Sequence, residues 1–107
     1  MAEIIVTTSE NIPGKKIKKI LGIVRGNTVR SRNIGHDIGA ALKNIVGGEI
    51  KTYTELISQS RDEAYNRMVN NALKMGADAV VNVRFTTSTV MAGASEMLAY
   101  GTAVKLS

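Results

Sequence analysis

The chain has no cysteine and a single histidine, His36. Without cysteine there can be no disulfide, no thiolate nucleophile and none of the thiolate zinc or iron–sulfur sites. A reducing compartment, the cytoplasm, suits such a chain. Aromatic residues make up 4% of the sequence, so few rings are available to stack on bases or sugars. Proline occurs once and hydrophobic residues reach 44%, which is not the composition of a disordered chain. No uncharged apolar run is long enough to span a bilayer. Met1-Ala2-Glu3-Ile4 shows no basic stretch followed by an apolar run, so no signal peptide is expected.

What is present fits one domain, residues 1–107. The 14 basic residues outnumber the 9 acidic ones, for a formal charge of +5. That balance permits binding to polyanions without requiring it. A chain this short buries roughly two-thirds of the surface its unfolded form exposes. It has little room for a large internal ligand pocket, and association with copies of itself would relieve both limits.

Residues 3–8, rich in Ile, Val and Thr, read as a first strand. Asn11-Ile12-Pro13-Gly14 is a turn signal. Residues 16–25 read as a second strand, with Ile17, Leu21 and Ile23 on one face and Ile20 and Val24 on the other. Both faces are partly apolar, which points to contact with another subunit on the side away from the helices. Gly26-Asn27 then reads as a loop. From Ile34 the period becomes helical, through Ile38, Ala41, Leu42 and Ile45, and Gly47-Gly48 ends that helix. Thr52-Tyr53-Thr54-Glu55 matches a capping box that opens a longer helix to about Met75. Its apolar stripe is Leu56, Ile57, Ala64, Met68, Ala72 and Met75, and Glu63 and Arg67 can pair across one turn. Gly76 stops it. Residues 78–89 read as a third strand with Val81, Val83 and Phe85 on one face. Residues 97–106 read as a fourth, with Leu98, Tyr100, Val104 and Leu106 on one face. Ala92-Gly93-Ala94-Ser95 turns between them. The expected fold is α+β in the order ββααββ: two layers, an antiparallel sheet packed on helices.

Four stretches carry a family resemblance. They are Leu21-Gly22-Ile23-Val24 with Gly26-Asn27-Thr28-Val29-Arg30; Asn33-Ile34-Gly35-His36-Asp37-Ile38 leading to Asn44-Ile45-Val46-Gly47-Gly48-Glu49; Arg67-Met68 with Ala72 and Met75-Gly76-Ala77-Asp78-Ala79-Val80-Val81; and Tyr100-Gly101-Thr102-Ala103-Val104. In this order, and over nearly the whole chain, they resemble the YbjQ-like family of small uncharacterised proteins, which also carries a heavy-metal-binding label. The resemblance implies a dodecin-subunit-like fold, a sheet wrapped on a long helix, and assembly into a closed homo-oligomeric ring, a pentamer. It supplies no established activity and no catalytic residues.

The metal label has to be tested on the side chains. Candidate ligands are His36, Asp37, Glu49, Asp78, Glu96 and the methionines. Heavy metals favour soft thiolate or thioether ligands, and there is no thiolate. His36 and Asp37 are adjacent on a helix, so they diverge by about a quarter turn and would not chelate one ion within a subunit. A symmetric ring could still gather one His36 per subunit around its axis. Read plainly, His36 is a surface residue in a first helical turn where Asp37 suits the helix dipole. Met91 and Met97 are expected to face each other across the last hairpin, where two thioethers could hold Cu(I), although methionines more often fill cores and interfaces. No cofactor other than a metal ion is suggested.

Lys15, Lys16, Lys18, Lys19, Arg25, Arg30 and Arg32 form a basic cluster with no acidic residue among them. Repeated around a ring they would make a positive belt for phosphate groups, nucleic acid or an anionic surface. The plainer reading is a solvated strand whose lysines discourage aggregation. Gly35, Gly39 and Gly47-Gly48 lack the context of a phosphate-binding loop. Catalysis finds no motif: the histidine has no nucleophile at a known spacing, and an acid–base carboxylate pair, such as Asp78 with Glu96, could form only across subunits. The expectation is a non-enzymatic oligomeric binding or structural module, with metal binding and polyanion binding as the alternatives.

Overall fold

The computed structural model describes residues 3–30, 51–91 and 94–107. Four strands and one helix occur among them: β1 (Ile5–Val6), β2 (Ile17–Arg30), α1 (Lys51–Lys74), β3 (Ala79–Met91) and β4 (Ala94–Leu106). The class is α+β, as expected. The helix expected from Ile34 to Gly47 lies outside the described residues. The strands form one sheet in the order β1-β3-β4-β2. β4 pairs antiparallel with both β2 and β3. The sheet is nevertheless mixed rather than antiparallel, because β1 runs parallel to β3, with Ile5 beside Ala79 and Val6 beside Val80. The chain leaves β1 and returns through α1 in the same direction, which makes the pair parallel. β1 is also shorter than the six residues its composition suggests.

The helix covers one face of the sheet. Ala64, Met68 and Ala72 are fully buried, four residues apart on one side of α1, with Ser60 buried one turn earlier. They meet Val24 of β2, Val80 and Val83 of β3, and Ala99 and Ala103 of β4. Small residues dominate this contact, so the helix backbone comes very close to the sheet. At Gly26 a Cβ atom would collide with the Met68 amide nitrogen and the Ala64 carbonyl oxygen. Gly26 is therefore a strand residue placed under the helix, not the loop signal it resembles, and β2 continues past it to Arg30. Along the outer edge of β2, Asn71 donates to the Arg25 carbonyl at 2.8 Å and Arg67 donates to the Asn27 carbonyl. The helix thus covers edge carbonyls that would otherwise be open to another strand.

At the N-terminus, α1 is described from Lys51; the side chains of the expected capping box at Thr52, Tyr53 and Thr54 lie outside the described residues. The C-terminus is as expected. Gly76 has φ +80°, the Ala77 amide donates to the Ala72 carbonyl at 3.1 Å, and the Gly76 amide donates to the Leu73 carbonyl at 3.0 Å; this is a Schellman ending. Met75, expected in the core, lies beyond the helix and is 38% exposed.

Bulges redirect two strands. Asn82 has φ +56°, and the β3–β4 register shifts between Val81 and Arg84. Val83 therefore faces the helix, while Val81 joins Ala79 and Val104 in a second small cluster on the opposite face, under Ile12 and Leu106. The expected alignment of Val81 with Val83 and Phe85 fails for this reason, and Phe85 is largely exposed. In β2 the register shifts between Ile17 and Lys19 and again between Ile20 and Gly22. Leu21 consequently packs with Val24 on the helix side, while Ile20 and Ile23 point out together. That reverses the face assignment a regular strand would give.

Candidate functional site

Among the described residues, the basic side chains are spread along β2 and do not form one compact patch. Lys15, Lys16, Lys18, Lys19 and Arg25 are all exposed, but they follow an extended strand. From Lys19 to Arg30 the chain advances roughly 36 Å at the usual strand rise. Arg30 ends β2; Arg32, His36, Asp37 and Glu49 lie outside the described residues. Arg25 stands apart from the lysines. It is opposite Tyr100, which is in turn opposite Arg84, making a row of three across the outer face.

The lysines instead border a cleft at the end of the sheet near the C-terminus of α1. Its volume is about 400 Å³, and its lining includes Lys18, Lys19 and Lys105 around Leu21, Met75 and Leu106. The β2–β4 register sets Lys19 directly opposite Lys105. The Lys105 ammonium donates to the Gly76 carbonyl at 3.0 Å and lies 3.4 Å from the Asp78 carboxylate. Asp78 also accepts the Leu106 amide at 2.9 Å. That backbone bond is the main reason its carboxyl sits below the ordinary value of 3.8; partial desolvation opposes it, and Lys105 and Lys15 add to the lowering. Sequence reading missed Lys105, because only strand pairing brings it to Lys19. A second cleft, of about 580 Å³, lies between α1 and β3, with Arg61, Asp62 and Tyr65 facing Phe85.

The other candidate groups do not converge. Within one subunit Asp78 and Glu96 lie near opposite ends of β4, since Asp78 bonds at Val104 and Glu96 is eight positions earlier, roughly 26 Å away. Glu96 accepts from Asn27 at 3.0 Å. Met91 pairs with Ala94, and Met97 with Thr87, so the two methionines do not face each other across the hairpin; the strands meet closer to the turn than the expected loop allowed. Among the described residues no three His, Asp or Glu side chains gather as a metal site. The sequence supplies no thiolate, so a soft metal ion would have only thioether and imidazole ligands to draw on. The Glu63–Arg67 pair forms at 2.9 Å, largely exposed.

Comparison with known proteins places the chain. A family model described as "Putative heavy-metal-binding", the YbjQ-like family, matches residues 4–107. A UPF0145 protein of Archaeoglobus fulgidus is 64% identical over 104 residues, covering 97% of this chain and 96% of that protein. One from Methanoculleus marisnigri is 60% identical over 102 residues, covering 95% of each. A crystal structure of a protein of unknown function from Pediococcus pentosaceus, of the DUF74 family, superposes with a TM-score of 0.64 at 17% identity over 97% of this chain and 98% of that one, a likeness of fold alone. On the extent of the family match and the identity to these relatives, the chain belongs to the YbjQ-like family of uncharacterised proteins.

Proposed function

We propose that this chain is one subunit of a closed homo-oligomer, a cytoplasmic, non-enzymatic binding or structural module. The observation that carries the reading is the sheet face turned away from the helix. Ile20, Ile23 and Val29 on that face are 67%, 78% and 54% exposed. Leu98 and Tyr100 of β4 lie beside them, opposite Asn27 and Arg25. Arg25 and Asn27 interrupt this surface, but several large apolar side chains exposed on one face favour cover by another surface.

A ring, with the five copies that the family resemblance implies, would place this face between subunits or around a central channel, where small-molecule sites often occur. A dodecin-like subunit architecture fits the same reading. Native mass spectrometry of the untagged protein, with and without a chelator, tests it. One defined multimer whose mass is a whole multiple of the chain is expected, unchanged by the chelator. A monomer at micromolar concentration would remove the reading. Added mass that the chelator strips away would transfer the assignment to metal binding.

A further inference from the structure

The cleft at the C-terminal end of α1 joins two chemistries that rarely share an undedicated surface. Its lining combines the apolar side chains of Leu21 and Met75 with Lys18, Lys19 and Lys105, and it extends to Gly76 and Leu106. Like charges directly opposite on antiparallel strands destabilise the pair, yet Lys19 faces Lys105. Asp78 compensates Lys105 alone. Among the described residues no carboxylate pairs with Lys18 or Lys19.

Strand geometry explains how both lysines reach one place. Successive residues of a regular strand point to opposite faces. The register shift between Ile17 and Lys19 breaks that alternation, and Lys18 and Lys19 both line the cleft. The second shift brings Leu21 to the same wall. It is centred near Gly22, whose φ of +137° a side chain would rarely adopt, and a Cβ there would lie 3.8 Å from the Met75 terminal methyl. Bulges that re-aim side chains in this way are common beside functional sites. Lys105 is committed to the Gly76 carbonyl and Asp78, which leaves the Lys18 and Lys19 ammonium groups for an incoming anion. The cleft's volume of about 400 Å³ falls within the range of roughly 300–1,000 Å³ for small-molecule sites.

We propose that this cleft binds a small amphipathic anion: an aliphatic chain lying against Leu21 and Met75, with a carboxylate head between Lys18 and Lys19. Met75 in the lining adapts to chains of different shape, and the lysine stems extend the apolar wall while their ends meet the charge. All of the lining residues named here belong to one subunit.

The test uses the full-length protein and sodium decanoate below its critical micelle concentration, followed by amide chemical shifts and calorimetry at two salt concentrations. Saturable shifts at Leu21, Gly76, Lys105 and Leu106 are expected, with affinity falling as salt rises. In K18Q/K19Q the affinity should drop at least tenfold with the melting temperature unchanged, since both lysines are exposed and form no salt bridge among the described residues. Decyltrimethylammonium, the same chain with the opposite charge, and inorganic phosphate, a head without a chain, should each bind far more weakly. The proposal is overturned if decanoate gives no saturable shifts there, if K18Q/K19Q binds equally well, or if the cation or phosphate matches decanoate. Lysine-dependent sedimentation with phosphatidylglycerol vesicles, without decanoate binding, would assign the cleft to a membrane surface instead.

Discussion

Asp78 joins three parts of the chain. Its carboxylate holds the Leu106 amide and the Lys105 ammonium, and its own carbonyl accepts the Ile5 amide at 3.3 Å. Because the charged form has these partners when folded, its pKa is lowered from the ordinary 3.8. A lowered carboxylate pKa contributes stability that is fully present above the unfolded value and is lost as pH falls through the folded one. In Asp78→Asn that contribution is gone at every pH. The stability gap between wild type and variant, measured by urea unfolding, should therefore be widest near neutrality and shrink below about pH 4. A gap that stays constant into the acid limb would show that the carboxylate's charge does not matter.

At the scale of elements, the contact between α1 and β2 governs the fold. Gly26 lies so near the helix backbone that Gly26→Ala must push the helix away or bend the strand. The obstacle is main-chain atoms of Ala64 and Met68, which cannot rotate aside. The expected loss is at or above the ~1–3 kcal/mol typical of an overpacked core, read from the shift in urea midpoint. An unchanged midpoint would mean that the helix does not sit this close. The same contact shows what the sequence could convey. The periodicity of α1 and the alternation of β4 are local properties, so Ala64, Met68 and Ala72 were legible as core and Leu98, Tyr100 and Val104 as one face. Gly26 was not: a glycine needed for close packing looks like a glycine needed for a turn. The bulges at Asn82 and Gly22 were equally hidden, because a register shift depends on the partner strand. The cleft was half legible, since its lysines stand in a run while Lys105 and Met75 arrive from distant parts of the chain.

At the scale of the whole molecule, the subunit is long and thin. Its extents are 54 × 26 × 24 Å and its radius of gyration is 17.0 Å, against about 13 Å for a compact domain of this length. Among the described residues, strands of 13 and 14 residues have one helix on one face and no second layer on the other. Ile23→Lys places a charge in the centre of that face without touching the helix-side core. Size-exclusion chromatography with light scattering should show the multimer reduced to smaller species, with the helical circular dichroism retained. An unchanged multimer would take this face out of the subunit contact.

β4 lies between β3 and β2 although it follows both in the chain. Its partners in β2 are more than sixty residues upstream, from Ile17 opposite Leu106 to Arg30 opposite Ser95. During synthesis, β2 emerges from the ribosome with its hydrogen-bonding groups facing water, and among the described strands none pairs with it until β4 has been made. Folding of this sheet is therefore a late event that closes a long loop in one step. A nascent chain stalled before Ala94 would have the residues of α1 and the β2 lysines but no β4, and so no sheet joining β2 to β3 on which the helix could pack.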